Sequence, residues 1–337
     1  MRIGIAGVGR IGTMHAANLV TLPAVDEVLL FDPVPGRAES AAAALGSRAT
    51  PVADLDDLIE ASDGVLVATP TNTHAGLVRR CLAARVPALC EKPVADDLSA
   101  LAGLVAEVEA SGVPVLVGFQ RRFDPAVAEL RRRIQAGELG TIYQVRAVGN
   151  DATPPDLGYL PASGGIFRDL LIHDLDAVPW LVGEPVVEVY ASGSVLVDKA
   201  FADADDVDNA VVVLRFAGGA HAVLVAGRHD PLGYDHRLEV LGSRDSLAVG
   251  LDARTPLTSL EPGGPAAGKD AYPGFGERFR RAYQGEMATF VEVVAGRADN
   301  PSPVRDSVVS LRLAEACERS RRSGVPVRLD QSMGVAV

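Results

Sequence analysis

The sequence predicts a two-domain α/β protein, with a helix-covered parallel sheet in residues 1–120 and an antiparallel sheet in residues 121–337. At about 100–200 residues per domain, a chain of 337 residues is long enough for two domains. Up to residue 120, short apolar runs alternate with longer amphipathic ones, which is typical of βαβ units and a parallel sheet. After Phe119, strand-like runs follow one another across short polar turns, which predicts an antiparallel sheet and a boundary near Phe119–Arg122.

The predicted strands of the first domain are apolar without polar alternation, as a sheet covered on both faces requires. They are Arg2–Ala6, Glu27–Phe31, Gly64–Ala68, Ala88–Cys90 and Pro114–Val117, with a weaker strand near Arg48–Thr50. The helical segments between them include Ile11–Leu22, Arg37–Leu45, Thr73–Ala84 and Leu98–Ser111. In such a sheet, ligands bind outside the carboxyl ends of the strands.

The second domain begins with a helix and continues as a series of strands. The predicted strands are Ile142–Val148, Val186–Val195, Ala210–Phe216, Ala220–Ala226 and Arg237–Leu241. The predicted helices are Pro125–Ala136 and Ile166–Val182, followed by two that close the chain, Gly276–Ala295 and Val304–Ser323. The segment Asp252–Gly276 is rich in Gly and Pro, which predicts a long surface loop.

The composition argues against several classes of protein. With 32 basic and 44 acidic residues, a formal charge of −12, neither nucleic acid nor an anionic membrane is an expected partner. No stretch approaches the roughly 18 apolar residues of a membrane span, and the N-terminal residues indicate a strand and a glycine loop rather than a signal peptide. Cys81, Cys90 and Cys317 lack metal-ligand spacing and cannot all pair, which favours a reduced, cytoplasmic protein.

The strongest local motif is Gly7-Val8-Gly9-Arg10-Ile11-Gly12, which follows a predicted strand and opens a predicted helix. Gly7 permits the tight turn, Gly9 lets the backbone approach a pyrophosphate, and Gly12 lets the helix pack closely on the strand. Asp32 ends the second predicted strand, 20 residues beyond Gly12, where a carboxylate can accept hydrogen bonds from ribose hydroxyls. The pattern predicts a dinucleotide-binding Rossmann domain; the alternative is a glycine turn with an unrelated surface aspartate.

The same aspartate favours NAD over NADP, because its carboxylate would repel the 2′-phosphate of NADP. No arginine directly follows Asp32; the next residues are Pro33-Val34-Pro35-Gly36, and Arg37 lies five positions on. We therefore expect NAD as the cofactor, with NADP less favoured.

Glu91-Lys92-Pro93 follows the fifth predicted strand, at the edge of the sheet where ligands of open parallel sheets bind. A lysine there would lie beside the nicotinamide. A strand-end lysine is more often only a solvated cap. Here, however, the chain has only three lysines, Lys92, Lys199 and Lys269, and Lys92 occurs together with a glycine loop, so we predict a functional role for it.

Asp169 and His173 lie at i and i+4 on the helix predicted after Ser163-Gly164-Gly165, a spacing that puts both side chains on one helical face. A carboxylate beside an imidazole orients the ring and stabilises its protonated form, which suits a general base. The alternative is a plain ion pair on the helix surface. His221 and His229 are interpreted as sheet-surface residues, and no His or Cys spacing predicts a metal site.

Taken together, these residues resemble the Gfo/Idh/MocA oxidoreductase family over essentially the whole chain. The motifs that carry the resemblance are Gly7–Gly12, Ala68-Thr69-Pro70-Thr71-Asn72-Thr73-His74, Glu91-Lys92-Pro93 and Asp169 with His173. Within the family, the chain looks closest to bacterial inositol 2-dehydrogenases, through Gly118–Pro125, Ser163–Asp169, Ile172–Asp176 and Gly233–Asp235. The resemblance implies a Rossmann domain joined to an α+β domain with a large open, mostly antiparallel sheet.

The resemblance also implies roles for individual residues. Lys92 would hold the reacting hydroxyl and stabilise alkoxide charge, His173 would take the hydroxyl proton, and Asp169 would orient His173 and bind a neighbouring hydroxyl. The further implied substrate contacts are Arg122, Tyr234 and Tyr283. The implied cofactor contacts are Gly7, Gly9, Arg10, Ile11, Gly12, Asp32, Thr69, Thr71, Asn72, His74 and Glu91.

The expected activity is NAD-dependent oxidation of a cyclitol ring hydroxyl, with myo-inositol oxidised to 2-keto-myo-inositol (scyllo-inosose). One departure bears on the substrate, because this chain reads Asn150-Asp151-Ala152-Thr153-Pro154-Pro155 where similar inositol dehydrogenases read Arg-Asp-Pro-Ala-Pro-Pro. The lost charge leaves open another cyclitol, an aminocyclitol or a sugar. A non-catalytic dinucleotide-binding sensor would have no need of Lys92, Asp169 and His173 together.

We also expect a homo-oligomer, a tetramer, assembled through the exposed face of the second-domain sheet. The segment Ala210–Leu241 has apolar and small residues at alternating positions. A sheet with helices on one face leaves the other face available for association. The family resemblance implies the same.

Overall fold

The computed structural model describes residues 1–264, 266 and 270–330, and the chain divides into two compact units. Unit 1 comprises Met1–Asp124 and Arg281–Val308. Unit 2 comprises Pro125–Arg280 and the chain from Val309 onward. The predicted second domain comprises residues 121–337, whereas contacts within the chain group Arg281–Val308 with unit 1.

Six parallel strands form the sheet of unit 1. They are β1 (Arg2–Ala6), β2 (Glu27–Phe31), β3 (Ala49–Pro51), β4 (Gly64–Val67), β5 (Ala88–Cys90) and β6 (Val115–Val117). Their order is β3-β2-β1-β4-β5-β6, so the direction of winding reverses between β1 and β4. Ligands of open parallel sheets bind at such a switch point. The predicted parallel sheet is confirmed.

Five helices connect these strands. They are α1 (Arg10–Leu19), α2 (Arg37–Leu45), α3 (Leu55–Glu60), α4 (Thr71–Ala83) and α5 (Leu98–Ser111). The short α3, which is not among the predicted elements, begins at Asp54, whose carboxylate accepts a hydrogen bond from the main-chain N–H of Asp56. Asp97 caps α5 in the same way, accepting from Ala100. Such caps satisfy amides that the first turn of a helix leaves unpaired.

Seven strands form the sheet of unit 2. They are β7 (Ile142–Asn150), β8 (Val186–Ser194), β9 (Asn209–Phe216), β10 (His221–Gly227), β11 (Asp235–Gly242), β12 (Ser246–Val249) and β13 (Val327–Arg328). Their order is β12-β11-β7-β10-β9-β8-β13, and every pairing is antiparallel except β7 with β10. The expected large, mostly antiparallel sheet is confirmed, with β12 and β13 as additional edge strands.

Helices cover one face of this sheet. The other α-helices of the described residues, not all of which lie on this sheet, are α6 (Pro125–Gln135), α7 (Leu160–Ser163), α8 (Ile166–Asp169), α9 (Ile172–Val182), α10 (Ala200–Asp203), α11 (Phe275–Arg278), α12 (Arg280–Val294) and α13 (Ser307–Ser323). Side chains of α6, α9 and α13 share one apolar core with inward-facing strand residues, for example Val127, Leu175 and Leu313 with Val212 and Leu224. The alternate strand residues, among them Tyr190, Val211 and Val225, are exposed.

The prediction of one helix over Ile166–Val182 is wrong. The main-chain amides of Leu170 and Leu171 both bond to the carbonyl of Ile166, so the regular i to i−4 ladder stops there and α9 begins anew. Asp169 therefore ends one helix and His173 lies at the start of the next. The i, i+4 argument for a shared helical face does not hold for this pair.

The prediction of one helix over Gly276–Ala295 also needs correction, because the structure divides it into α11 and α12. Within unit 1, Met287, Phe290, Val291 and Val293 of α12 belong to the same apolar core as the strands. Gly64 of β4 makes room for this helix, since a Cβ there would lie 2.6 Å from the Val294 side chain. The returning segment is thus an integral part of the core of unit 1.

Within the described part of the segment between β12 and α11 there is no helix, in agreement with the predicted loop over Asp252–Gly276. Tyr272 of this loop makes an isolated β-bridge with Tyr234.

Among the residues described, no helix combines the length and the apolar character that a membrane crossing requires.

Candidate active site

The glycine loop lies between β1 and α1, as predicted. Gly7 has a φ of +91°, and a Cβ there would lie 2.7 Å from the carbonyl oxygen of Ala68. A Cβ on Gly12 would clash with the Gly7 carbonyl, so both positions require glycine. A Cβ on Gly9 would meet nothing within 4 Å. The loop therefore leaves open space at Gly9, at the N-terminus of α1, where a backbone can approach a pyrophosphate.

Asp32 follows β2, and its carboxylate is bound to the glycine loop. Oδ2 accepts a hydrogen bond from the Val8 N–H at 3.0 Å, and Oδ1 accepts one from the Val34 N–H at 3.0 Å. Arg37 Nη1 lies 3.2 Å from Oδ1, although the arginine side chain is 48% exposed. Arg37 lies five positions beyond Asp32 in the sequence, and the structure pairs the two side chains.

His74 connects the turn after β4 to the segment after Lys92. Its ring is buried, with Nδ1 2.7 Å from the Pro93 carbonyl oxygen and Nε2 2.8 Å from the Thr69 carbonyl oxygen. These contacts position both loops of the predicted cofactor site. Of the other predicted cofactor contacts here, Thr69 and Thr71 are half-buried and Asn72 is exposed.

Lys92 is the second residue after β5, at the ligand edge of the sheet. Its main-chain N–H faces Glu91 Oε2 at 3.3 Å, and Glu91 Oε1 lies 2.7 Å from Nε2 of His15 in α1. Burial acts to raise the pKa of Glu91, but the hydrogen bond and charge of His15, with Lys92 and His74 nearby, hold it below its usual range. The segment that carries Lys92 is therefore anchored by a half-buried carboxylate anion.

A third ionisable group, Glu286 of α12, joins His15 and Glu91. One potential ligand atom from each of the three side chains lies within 4.8 Å of the other two. In the described ranges, this is the one set of three or more His, Cys, Asp or Glu side chains close enough to hold a metal ion. Positions 15, 91 and 286 are too far apart in sequence for any spacing rule to detect.

Arg122 and Tyr283, two predicted substrate contacts, are both buried in unit 1. Arg122 Nη1 donates to Asp306 Oδ2 at 2.6 Å and to the Pro301 carbonyl at 3.2 Å. The ring of Tyr283 packs edge-on against His15, with the ring centroids 5.6 Å apart. Both side chains thus have partners within unit 1, and contact with a substrate stays a prediction.

In unit 2, Asp169 is held by two side chains. Arg228 Nη2 lies 3.0 Å from Oδ2, and the Tyr159 hydroxyl donates to Oδ1 at 3.2 Å. Arg228 also donates from Nη1 to Asp151 Oδ2 at 3.2 Å. Burial acts to lower the pKa of Arg228, but the carboxylates of Asp169 and Asp151 hold it above its usual value. Arg228 is therefore a buried cation that fixes two carboxylates.

His173 is the second residue of α9 and is half-buried. Its neighbour Asp174 is buried, with Oδ1 3.4 Å from Nε2 of His236 in β11. Tyr234, a predicted substrate contact, is also buried and packs edge-on against Phe279 at 6.3 Å between centroids. Unit 2 thus presents a cluster of acidic and imidazole side chains around the start of α9 and β11.

Asn150, the departure noted in the sequence, ends β7. It pairs in register with Gly227 of β10, and the next residue of that chain segment is Arg228. The main-chain N–H of Asp151 donates to the Gly227 carbonyl at 2.9 Å. Residue 150 itself carries no charge, but the buried Arg228 lies one residue beyond its register partner.

Comparison with known proteins identifies the family. Residues 1–119 match the oxidoreductase family with an NAD-binding Rossmann fold, and residues 127–248 match the GFO/IDH/MocA C-terminal domain. Myo-inositol dehydrogenase Hyg17 of Streptomyces leeuwenhoekii is 41% identical over 333 residues, which cover 97% of this chain and 99% of the relative. The chain belongs to the Gfo/Idh/MocA oxidoreductase family.

Other Gfo/Idh/MocA proteins are similar over the same length. The scyllo-inositol 2-dehydrogenase (NAD(+)) of Bacillus subtilis is 34% identical, covering 98% of this chain and 96% of its own. The crystal structure of a myo-inositol dehydrogenase from Corynebacterium glutamicum matches with a TM-score of 0.88 and 35% identity, covering 98% of this chain and 99% of that one. The protein is an NAD(P)-dependent dehydrogenase that acts on a CH–OH group.

Several residues of the two clusters, one in each unit of this Gfo/Idh/MocA protein, were not predicted from the sequence. They are His15 and Glu286 in unit 1, and Asp151, Arg228 and His236 in unit 2. Arg228 could have been found, because it lies two residues beyond the end of a predicted strand, as Lys92 does. Glu286 could not, because a glutamate inside an amphipathic helix carries no sign of the face on which it lies.

Proposed function

We propose that the protein oxidises a ring hydroxyl of a cyclitol and that its substrate is myo-inositol, which gives 2-keto-myo-inositol. The structural observation that supports this most directly is the Asp169 carboxylate. Because Arg228 and Tyr159 hold it, it is a fixed acceptor for a hydroxyl group, four residues before His173. The 41% identity to a myo-inositol dehydrogenase supports the choice of substrate.

The reaction breaks a C–H and an O–H bond of the ring and forms a C=O bond. Bound NAD⁺ supplies the acceptor for the hydride. His173 takes the hydroxyl proton, because an alcohol by itself is a poor acid at neutral pH. The ammonium group of Lys92 holds the hydroxyl oxygen and stabilises the negative charge that develops on it. Asp169 orients His173 and accepts a hydrogen bond from a neighbouring hydroxyl.

NAD, rather than NADP, is the proposed cofactor. The open space at Gly9 fits a pyrophosphate, and the Asp32 carboxylate fits a ribose diol but repels a 2′-phosphate. Arg37, the nearest candidate for a 2′-phosphate contact, is paired with Asp32. The ratio of kcat/KM with the two cofactors tests this. A preference for NADP above about tenfold, or about 1.4 kcal/mol, contradicts the role of Asp32.

A second candidate substrate class comprises other cyclitols, aminocyclitols and sugars. Asn150 in place of arginine favours it, because a changed charge near the site changes which substituents are accepted. Purified protein with NAD and a panel of polyols, followed by NADH absorbance, distinguishes the candidates. We expect the highest kcat/KM with myo-inositol. If another panel member exceeds it tenfold, the second class replaces the first, and if NAD binds but is never reduced, the protein is a sensor.

The proposed assembly is a homotetramer formed through the exposed face of the unit 2 sheet. Tyr190, Val211 and Val225 are between 37% and 44% exposed on that face. Val211 and Val225 are register partners on adjacent strands, so their side chains form one apolar patch. Burying such a patch against a second copy of the chain would be favourable.

A further inference from the structure

Glu286 of unit 1 is a buried acidic side chain whose carboxyl group makes no hydrogen bond in the described structure. It is fully buried in α12, and neither of its carboxyl oxygens has a hydrogen-bond partner. It faces Glu91 and His15 within 4.8 Å. Burying an unpaired carboxylate is so unfavourable that such a group normally takes up a proton.

The charges around the cluster are unevenly distributed between the two glutamates. Glu91 is bonded to His15, and Lys92 and His74 also act on it as positive charges. For Glu286, burial and the negative charge of Glu91 both raise the pKa well above its usual value. A proton in this cluster is therefore held by Glu286, while Glu91 remains the anion.

We propose that Glu286 is a positioning residue of the dehydrogenase and that it works as a neutral carboxylic acid. Its proton removes repulsion towards Glu91. Glu91 can then keep its bond to His15 and its contact with the main-chain N–H of Lys92. This role rests on the proposed function of Lys92, whereas the protonation itself does not.

The protonation has a definite effect on stability. Between the ordinary glutamate pKa of about 4.3 and the raised value, the folded chain keeps a proton that the unfolded chain has released. Because the folded state binds more protons there, wild-type stability falls as pH rises through this window. Glu286→Gln carries a neutral amide at every pH, so it lacks this loss.

The first test is thermal unfolding from pH 5 to pH 8. We expect Tm of Glu286→Gln minus Tm of the wild type to grow across this range by at least about 2 °C. The matched control is Glu292→Gln on the same helix, where Arg297 holds the pKa of an exposed glutamate below its usual value through a hydrogen bond. The difference in Tm between Glu292→Gln and the wild type should not grow from pH 5 to pH 8. A Glu286→Gln difference that stays flat or shrinks overturns the protonation.

Infrared spectroscopy provides a second readout that needs no substrate. The wild type at pH 7 should show the carbonyl band of one buried carboxylic acid, and Glu286→Gln should lack it. Absence of the band in the wild type would overturn the proposal.

Elemental analysis decides the alternative, because one divalent metal per wild-type chain, lost in Glu286→Gln, would make the cluster a metal site instead.

The positioning role is tested with a pair of variants of similar volume. Glu286→Gln is neutral and keeps a polar group facing Glu91 and His15, so kcat should stay within about threefold of the wild type. Glu286→Met is neutral and fills the space but has no polar group to face Glu91, so Glu91 and the segment of Lys92 should shift and kcat should fall at least about tenfold, as expected when a residue beside a catalytic group is misplaced. Equal kcat in both folded variants overturns the positioning role. If no polyol is oxidised, the proposed function fails separately.

Discussion

His173 and Lys92 are the residues whose loss should affect the chemical step most directly. A general base typically contributes about 10²–10⁴-fold and a charge-stabilising donor about 10²–10³-fold. We expect His173→Ala and Lys92→Ala each to lower kcat by at least about 10²-fold, with NAD affinity little changed in His173→Ala. The exposed His221 and Lys199 provide matched alanine controls. If folded His173→Ala keeps more than about a third of wild-type kcat, His173 is not the base.

Arg228→Lys tests whether the buried arginine aligns Asp169. Lysine keeps the charge but has a single ammonium group, which cannot reproduce the two-sided contact of a guanidinium with Asp151 and Asp169. We expect KM for the polyol to rise at least about tenfold, which corresponds to about 1.4 kcal/mol. Arg215→Lys, on a partly exposed ion pair with Glu188 of the same sheet, is the control. An unchanged KM in folded Arg228→Lys would remove Arg228 from the site.

The sequence could predict the place of some site residues but not of others, for physical reasons. The positions of Lys92 and Asp32 could be predicted because each lies just beyond a strand of a parallel sheet, and strand ends meet at one edge, while their roles stay predictions. Glu286 and His15 could not, since only packing of two distant helices shows that they share a site. Their roles depend on burial, which one sequence does not report for a polar side chain.

Among the elements, the turn from β1 to α1 allows two glycines to be tested separately. Gly12→Ala places a Cβ against the Gly7 carbonyl, so we expect lower stability, by about 1–3 kcal/mol or more in the free energy of unfolding. Gly9→Ala meets no protein atom, so its Tm should match the wild type while KM for NAD rises. The reverse pattern, with Gly9→Ala unstable, would contradict this loop geometry. Thermal unfolding and steady-state kinetics measure both effects.

Most strands and long helices could be predicted because they follow simple hydrophobic periods. The break after Asp169 could not, since Ile166–Val182 keeps a continuous apolar pattern across it. The break arises because the Ile166 carbonyl accepts hydrogen bonds from two main-chain amides. No residue type in the sequence indicates this detail. Short elements such as α3, β12 and β13 fall below the length at which a period can be counted.

For the whole molecule, assembly through the sheet face predicts a specific dependence on Val225. Light scattering at micromolar concentration should give the mass of four chains of 35.2 kDa each. Val225→Asp puts a charge in the apolar patch, so it should yield smaller species while keeping the fold. Leu196 is 79% exposed and lies outside the strands, so Leu196→Asp is the control and should leave the assembly intact. A wild-type monomer at this concentration contradicts the proposed tetramer.

The return of Arg281–Val308 to unit 1 has a consequence for how the protein is made. Four core side chains of the nucleotide-binding unit, Met287, Phe290, Val291 and Val293, are translated only after all of Pro125–Arg280. During synthesis the nascent first unit must therefore wait, with part of its apolar surface open, until Met287–Val293 has left the ribosome. A stop codon at position 281 would release a chain with that surface uncovered, a ready substrate for chaperones and proteases.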